Sequence, residues 1–349
     1  MKYSRVYINS LAYELAPEIV SSADLESRLT PLYQKFRIPK GQLSALTGIE
    51  ERRWWPKDHI LSDGAINAAQ KVIAETEIAV ADIGAVIYTG VCRDQHEPAT
   101  ACRIAAKLGV LKDTAIYDIS NACLGMLSGI LDIANRIELG QIKAGLVVSC
   151  ESARHIVDVT IDDMLAEPTM TNYARSLATL TGGSGAVAIL LTDGTLSLNT
   201  DRNHQLLGAS HLSAPEHNNL CQWGLKQVGP QLFREFMRTD AVSLLKEGVD
   251  LAKDTWQHFL EQRNWLEADV DKVICHQVGA ANQKQVLSAL AIDKTKEYPT
   301  FKHLGNMGTV SLPVTAAMAH DNGFLQKGDN VSFLGIGSGL NCMMLGLKW

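Results

Sequence analysis

The stretch Asp118-Ile-Ser-Asn-Ala-Cys123-Leu-Gly-Met126 joins a short apolar run to a long, mostly apolar segment with helical spacing. This junction predicts a β-strand that turns directly into an α-helix, with Cys123 at the start of the helix. The free backbone N–H groups and the positive dipole end at such a position favour the thiolate form of cysteine. The stretch therefore indicates an α/β fold with a nucleophilic cysteine at a strand-to-helix turn.

Two later segments contain residues suited to assist a cysteine nucleophile. Val273-Ile-Cys-His276-Gln-Val-Gly279 ends an apolar run with a histidine, and Leu304-Gly-Asn306-Met-Gly308 sets an asparagine between glycines. Taken singly, the three residues also fit structural roles, as a small buried hydrophobe, a strand-end histidine and a turn asparagine. Together, Cys123, His276 and Asn306 predict acyl chemistry at one site.

Short apolar runs alternate with helical patterns along the chain. Strands are predicted at Arg5–Ile8, Ala85–Gly90, Ala115–Ile119, Ala144–Ser149, Ala186–Leu191, Lys272–His276 and Asn330–Ile336. Helices are predicted at Ser62–Thr76, Ala99–Lys107, Leu124–Leu139, Arg238–Asn264, Ala281–Leu290 and Leu312–Asn322. This alternation predicts an α/β fold with substantial parallel sheet, covered by helices on both faces.

The order of elements is roughly duplicated. A first strand–helix series ends near the turn predicted at Thr192-Asp-Gly-Thr195, and a second begins after the polar stretch around residues 201–203. We expect two halves, residues 1–195 with the cysteine and residues 196–349 with the histidine and asparagine. The segment Asp158–Leu180 has weaker strand patterning and is expected to be a cap or a dimer contact.

Composition limits the possible functions. Of 349 residues, 46% are hydrophobic and 20% are charged, an ordinary globular mixture with enough apolar material for a large core. The formal net charge of −6 argues against a nucleic-acid-binding protein, which normally has a basic face. The seven cysteines have no Cys-x-x-Cys spacing, so neither a zinc site nor a disulfide framework is expected.

Targeting and membrane signals are weak. The N-terminal stretch has no signal-peptide pattern, and the apolar runs fall short of the roughly 20 residues that span a bilayer. We expect a soluble, cytoplasmic protein.

The sequence resembles the thiolase superfamily, and within it the β-ketoacyl synthase III type, over nearly its full length. The likeness is carried by Ala122-Cys123, Thr181-Gly-Gly-Ser-Gly-Ala-Val-Ala188, His276-Gln277, Gly305-Asn306-x-Gly308 and Gly335-Ile-Gly-Ser-Gly339. The resemblance implies a thiolase fold, with duplicated halves in a five-layer α-β-α-β-α arrangement, and an obligate homodimer. It also implies that the backbone N–H groups of Cys123 and Ser338 form an oxyanion hole.

A narrower resemblance is to the OleA family, whose members join two fatty acyl thioesters head to head at the start of long-chain olefin biosynthesis. It is carried by Thr47–Trp55, Val91–Thr100, Asn121–Leu124 and Gly335–Cys342. Ordinary synthase III enzymes have an apolar residue where this chain has Glu97. In OleA-like enzymes a glutamate there reaches into the neighbouring subunit's active site, whereas by sequence alone Glu97 fits an ordinary solvated loop.

The substrate carrier is less well defined. Arg52, Arg53, Trp54 and Trp55 are candidates for an aromatic and basic surface that binds the coenzyme A nucleotide, with a solvated loop as the alternative. Synthase III enzymes often hold the adenine with a tryptophan and an arginine just before Thr-Gly-Ile, and Gly41–Leu46 has neither. Coenzyme A and an acyl carrier protein therefore both stay open as carriers, as does association with downstream olefin-pathway enzymes. No metal is expected, and no cofactor beyond the coenzyme A thioester substrates.

The predicted function is a non-decarboxylative head-to-head Claisen condensation of two long-chain fatty acyl-CoAs to a 2-alkyl-3-oxo acid. Cys123 would hold the first acyl group, Glu97 would remove the α-proton of the second, and His276 and Asn306 would stabilise the enolate. One alternative is a decarboxylating 3-oxoacyl synthase III of fatty-acid initiation, which needs no such base. Others are a synthase III-like acyltransferase and a non-catalytic partner of an active homologue. The patterns do not define acyl chain length.

Overall fold

The computed structural model describes residues 1–76, 78–196 and 203–349. Most of the polar stretch around residues 201–203, expected to open the second half, lies outside these ranges. The strands are β1 (Tyr7–Leu15), β2 (Glu18–Ser21), β3 (Glu51–Trp54), β4 (Ile83–Thr89), β5 (Ala115–Ile119), β6 (Ala144–Glu151), β7 (Gly185–Thr192), β8 (His204–Ser213), β9 (Cys221–Gly229), β10 (Leu232–Thr239), β11 (Lys272–Cys275), β12 (Asn330–Gly337) and β13 (Asn341–Lys348). The helices are α1 (Ser22–Arg28), α2 (Thr30–Phe36), α3 (Gln42–Thr47), α4 (Leu61–Ala74), α5 (Thr100–Leu108), α6 (Gly125–Glu138), α7 (Arg154–Ala166), α8 (Met170–Ser176), α9 (Ala241–Arg263), α10 (Ala280–Ala289), α11 (Phe301–Leu304) and α12 (Ser311–Asp321).

A nine-stranded mixed sheet runs through the molecule in the order β11-β12-β13-β8-β1-β7-β6-β4-β5. Its parallel pairs are β4–β5, β4–β6 and β11–β12, as the strand–helix alternation predicts, and its other pairs are antiparallel. Among the described residues, β1 and β8 pair only at Tyr7–Gln205 and Ile8–His204. This narrow junction separates a five-stranded half from a four-stranded half.

Three apolar clusters define the layers around the sheet. In the first, α6 and α12 lie between the two halves, and they cluster with Val147 of one half and Phe333 of the other. The second places α4 and α5 on the outer face of the five-stranded half. The third places α9 and α10 on the outer face of the four-stranded half. The order is α-β-α-β-α, so the expected five-layer arrangement is confirmed.

Helix α6 lies unusually close to strand β6. A Cβ atom at Gly145 of β6 would lie 2.6 Å from Cδ1 of Ile133, and one at Gly129 of α6 would lie 2.6 Å from Cγ1 of Val147. Glycine at both positions therefore permits the approach, because any larger residue would push the helix away. Since Cys123 lies two residues before α6, this close packing also supports the turn that contains it.

The segment Asp158–Leu180, expected to be a cap or a dimer contact, contains α8 and most of α7. These helices join α1 and α2 in a fourth apolar cluster, with members such as Leu25, Val157 and Tyr173. Side chains from the same segment line the cavity described below. The segment therefore forms part of the cavity wall, and its roles as a cap and as a dimer contact stay predictions.

The strands that the sequence patterns do not predict lie mainly in residues 204–239. There β8, β9 and β10 mix polar and apolar residues without strict alternation. The helix predicted from Arg238 begins instead at Ala241, because the Asp240 side chain accepts a hydrogen bond from Ser243 N–H over 3.1 Å and caps the helix there.

Candidate active site

Cys123 lies in a short 3-10 turn, Ala122–Leu124, between β5 and α6. Ala122 has a left-handed backbone conformation, with φ of 42°. The Leu124 N–H group donates to the Asn121 carbonyl over 2.8 Å and closes the turn. The Cys123 side chain lines an apolar cavity of about 800 Å³, within the range of roughly 300–1,000 Å³ that small-molecule sites occupy.

The Cys123 thiol is protonated at rest. Burial is the main cause, assisted by Cys221 and Glu151, and it raises the pKa of Cys123 to about 12. Burial therefore opposes the thiolate that the backbone N–H groups of this turn were expected to favour. The helix proper starts beyond the cysteine, and its Met126 N–H already donates to Thr309 Oγ1 over 2.7 Å, which leaves that donor unavailable to the sulfur.

His276 follows β11 and extends its pairing with β12, since its N–H donates to the Leu334 carbonyl over 2.9 Å. Its side chain is buried and lines the same cavity as Cys123. Burial lowers the pKa of His276 to about 4, so the imidazole is neutral near pH 7. Within the described parts of the chain, its Nδ1 atom has no hydrogen-bond partner. A neutral imidazole in this position can accept or donate a proton.

Asn306 presents its amide to the cavity from a tightly fixed loop. Its N–H donates to the Thr181 carbonyl over 2.9 Å, and its carbonyl accepts from Gly183 N–H over 2.8 Å. The side-chain Oδ1 accepts from Gly308 N–H over 3.0 Å, which assigns Nδ2 as the remaining donor. Gly305 has φ of 65°, and a Cβ atom there would lie 2.4 Å from the Thr181 oxygen. Glycine at that position is required by both the conformation and the contact.

The glycine-rich stretch Gly335–Gly339 forms the end of β12 and the turn into β13. A Cβ atom at Gly337 would lie 3.6 Å from the backbone nitrogen of Cys123, so the stretch passes directly beside the nucleophile turn. Ser338 lines the same cavity as Cys123. The stretch leads into a strand rather than a helix, so it lacks the helix that a dinucleotide-binding fingerprint requires.

Glu97 is exposed in the loop between β4 and α5, and it is not among the residues that line the cavity of its own chain. One chain therefore brings together Cys123, His276, Asn306 and Ser338, but not Glu97. Strand β5, which leads to Cys123, is the last strand of the sheet, and its five residues are half-buried.

Arg52, Trp54 and Trp55 lie in the interior. The Arg52 guanidinium donates to the Leu180 carbonyl over 3.2 Å, and the Trp54 and Trp55 indoles donate to the carbonyls of Gly182 and Glu151, each over 3.1 Å. The expectation of an exposed nucleotide-binding surface is therefore wrong for these three residues, because their polar atoms bind backbone near the cavity. Arg53 is half-buried.

Glu151 is a cavity residue that the sequence reasoning missed. Its carboxylate is buried at the end of β6 and lines the cavity together with Cys123. Burial raises the pKa of Glu151, and the backbone N–H groups of Val91 and Cys92 oppose the shift. An acidic residue that ends the apolar run Ala144–Cys150 was the available signal, since side chains at the carboxyl ends of parallel strands often reach a site.

Much of the remaining lining is apolar. The β9–β10 hairpin, α9 and α10 contribute Trp223, Leu225, Phe236, Leu244, Gly248, Val249, Ala252 and Val286. Across the described ranges, no cluster of three or more His, Cys, Asp or Glu residues could hold a metal ion. No helix in those ranges is long and apolar enough to cross a membrane.

Both halves of the chain match known families. Residues 46–194 match the N-terminal domain of thiolase, and residues 260–349 match the C-terminal domain of 3-oxoacyl-[acyl-carrier-protein] synthase III. An acyl-CoA:acyl-CoA alkyltransferase of Shewanella oneidensis is 80% identical over 349 residues, with 100% of both chains covered. The chain belongs to the acyl-CoA:acyl-CoA alkyltransferase family of the thiolase superfamily. It is accordingly an acyltransferase, and the predicted thiolase fold is confirmed.

A second acyl-CoA:acyl-CoA alkyltransferase, from Xanthomonas campestris, is 34% identical, with 100% of both chains covered. A crystal structure of Xanthomonas campestris OleA superposes with a TM-score of 0.92 at 33% identity, covering 100% of this chain and 98% of that one. That enzyme has also been solved with a cysteine replaced by serine and with bound lauric acid and lauroyl-CoA. The resemblance to OleA is thereby confirmed.

Proposed function

We propose that this alkyltransferase joins two long-chain fatty acyl-CoA molecules head to head, without decarboxylation, and releases a 2-alkyl-3-oxo acid. The observation that carries the proposal is the apolar cavity of about 800 Å³ whose lining includes Cys123, His276 and Asn306. An apolar cavity of this size accommodates acyl chains, and the three polar side chains supply the chemistry at the thioester.

In the first step, the Cys123 sulfur attacks the carbonyl of one acyl-CoA. The new C–S bond keeps the acyl group on the enzyme, and coenzyme A leaves as the old C–S bond breaks. Because burial keeps both the thiol and His276 neutral, the thiol proton moves to the imidazole as the attack proceeds and then to the departing sulfur.

In the second step, Glu97 of the neighbouring subunit removes an α-proton from the second acyl-CoA. His276 and the Asn306 amide donate hydrogen bonds to the enolate oxygen, which lowers the barrier to this weakly acidic position. The carbanion attacks the Cys123 thioester, and the backbone N–H groups of Cys123 and Ser338 hold the oxyanion until the C–S bond to Cys123 breaks. The leaving sulfur takes up a proton to restore the thiol, and Glu97 releases the α-proton, so the protons balance. Water then hydrolyses the remaining thioester and releases the second coenzyme A.

This scheme makes the enzyme a homodimer. Two observations support a homodimer. Glu97 is exposed and lies outside the cavity of its own chain, and β5 is an edge strand that leads to the turn with Cys123. Residues 1–195 and 196–349 would be its two thiolase-like halves. In this scheme coenzyme A is the carrier that delivers both acyl chains. Delivery by an acyl carrier protein and association with downstream olefin-pathway enzymes are the alternatives for its partners.

The test is to incubate the pure protein with myristoyl-CoA alone, measure free thiol, and examine the products by mass spectrometry. The proposal predicts thiol release and a long-chain ketone, which the coupled β-keto acid forms by losing carbon dioxide. The Glu97→Gln variant is expected to be acylated but not to condense. If product forms only after malonyl carrier protein is added, the enzyme is a decarboxylating synthase III instead.

A further inference from the structure

The loop of residues 90–99, which carries Glu97 from β4 to α5, is bound at its start by a buried carboxylate. Glu151 Oε1 accepts from Val91 N–H over 2.9 Å, and Glu151 Oε2 accepts from Cys92 N–H over 3.1 Å. A Cβ atom at Gly90 would lie 3.1 Å from Glu151 Oε1. The chain thus leaves β4 directly against this carboxylate, and both oxygens are used to hold it.

The far end of the 90–99 loop is bound in the same way. Asp118 of β5 accepts from Thr100 N–H through Oδ2 over 2.9 Å and from Ala101 N–H through Oδ1 over 3.0 Å. Asp118 lies on the strand that leads to Cys123, and it does not line the cavity. Each end of the loop is therefore fixed by a carboxylate that binds two consecutive N–H groups.

Glu151 also contacts the parts of the site around Cys123 and Asn306. The backbone N–H group of Thr309 opposes the rise that burial causes in the pKa of Glu151. The Thr309 hydroxyl in turn accepts from Met126 N–H in the first turn of α6. Glu151 therefore lies between the loop that carries Glu97 and the segments that hold the nucleophile and the amide.

The chemistry of these contacts requires carboxylates. In both residues, each of the two N–H groups binds a different oxygen of the side chain. An amide of the same shape has one oxygen and one NH2 group, so it would keep one hydrogen bond and place a donor against the other N–H. Glu151→Gln and Asp118→Asn therefore weaken the attachment of the loop while changing side-chain volume very little.

We propose that Glu151 and Asp118 are positioning residues that hold the two ends of the 90–99 loop and thereby aim Glu97 at the cavity of the neighbouring subunit. The inference rests on the proposed function, because it takes Glu97 as the base donated across the dimer. It assigns Asp118 a role in condensation and none in acylation of Cys123, whereas Glu151 also lines the Cys123 cavity of its own chain, so its positioning role is read from the chain that donates Glu97.

The experiment uses mixed dimers made from two differently tagged chains. The reference dimer pairs a Cys123→Ala chain with a Glu97→Gln chain. Its one complete site contains the Cys123 of the second chain and the Glu97 of the first. This reference is expected to condense myristoyl-CoA, and its failure to do so beside an active wild-type dimer would refute donation across subunits and this inference together.

Glu151→Gln or Asp118→Asn is then added to one chain of the reference dimer at a time. On the chain that donates Glu97, either change is expected to lower kcat for condensation by about 10- to 100-fold while stoichiometric acylation of Cys123 is retained. On the chain that supplies Cys123, Asp118→Asn should have a much smaller effect. If the reference dimer is active and Asp118→Asn lowers its activity equally in both placements, this inference alone is overturned.

A matched control and a second measurement guard against misfolding. Asp293→Asn changes an aspartate that accepts from Thr295 N–H over 2.8 Å in an exposed turn, and it should leave condensation unchanged.

Hydrogen exchange in the Glu151→Gln homodimer is expected to accelerate at the amides of Val91 and Cys92. Unchanged exchange at both amides would contradict the proposed attachment, whatever the activity.

Discussion

Cys123 and His276 line the same cavity, and burial favours the uncharged form of both side chains. Burial moves their pKa values in opposite directions, to about 12 for the thiol and about 4 for the imidazole. A neutral pair avoids the desolvation cost of an ion pair inside an apolar cavity. Under the proposed function, Cys123 is then activated by the proton transfer that accompanies its attack rather than by a standing thiolate.

This charge state predicts low intrinsic reactivity of Cys123 towards alkylating agents. Because its pKa is about 12, the thiolate fraction and hence the rate of reaction with iodoacetamide should rise about tenfold per pH unit between pH 7.5 and 9.5. Peptide mass spectrometry would follow the modification, with exposed Cys102 as the internal comparison. A rate that stops rising near pH 8 would show that Cys123 is a thiolate at neutral pH.

Asn306 is expected to act in condensation and not in acylation. Removal of one donor to a developing oxyanion typically costs about 100- to 1,000-fold in rate. Asn306→Ala should therefore lower product formation by that factor while intact-mass spectrometry still detects the acyl group on Cys123. The Cys123→Ala variant is the matching negative control, and a stoichiometric adduct in it would exclude Cys123 as the acyl carrier.

Among the elements, α9 and the β9–β10 hairpin contribute most to the apolar end of the cavity. Gly248 lies on the buried face of α9 and lines the cavity, whereas Val242 of the same helix is 82% exposed. A Cβ atom at Gly248 would lie 3.6 Å from Cγ2 of Ile336, an ordinary contact. The position therefore accepts a side chain, which would take up space intended for substrate.

Gly248→Leu is accordingly expected to shift acyl specificity towards shorter chains. The ratio of kcat/KM for decanoyl-CoA to that for myristoyl-CoA should rise at least severalfold, and the variant should fold well because leucine favours helix more than glycine does. Val242→Leu on the exposed face is the control and should leave the ratio unchanged. An unaltered ratio in Gly248→Leu would place the acyl chain elsewhere.

The sequence predicted the elements whose patterns are local. Strands β4 to β7 and helices α4, α5 and α6 follow from apolar runs and helical spacing, and Cys123, His276 and Asn306 follow from their positions at the ends of such runs. Glu151 and Arg52 were not recognised as buried, because the partners that satisfy them come from distant segments. The same reason explains the missed hairpin, because its polar residues Lys226 and Arg234 pair with Asp163 of the distant helix α7.

At the scale of the whole molecule, the junction between the two halves of the sheet contains a buried histidine. His204 pairs with Ile8 where β8 meets β1, and its ring stacks on Trp349 with centroids 3.9 Å apart. The ring of His320 meets the ring of His204 edge-on, with centroids 5.3 Å apart. Burial, assisted by His320, lowers the pKa of His204 to about 3.

This histidine predicts a loss of stability in acid. The unfolded chain binds a proton at His204 near pH 6.5, whereas the folded chain does so only near pH 3. The contribution of His204 to the free energy of unfolding is therefore fully present above pH 6.5. It is lost between pH 6.5 and 3, by up to about 1.4 kcal/mol per pH unit. The melting temperature of His204→Phe, which keeps a stacked ring, should fall less than that of the wild type from pH 7 to pH 4. Equal losses would assign the acid sensitivity to other groups.

The acyl cavity also links the heat stability of the enzyme to the lipid supply of the cell. Side chains that line so large a space have fewer packing partners than those in a filled core, which lowers the resistance of the folded chain to unfolding. A fatty acyl occupant that binds the folded chain alone restores stability by mass action, by about 2.7 kcal/mol at a hundred times its Kd. The enzyme is then expected to survive proteolysis longest when its substrate is abundant, so that its abundance follows the acyl-CoA pool without any regulator.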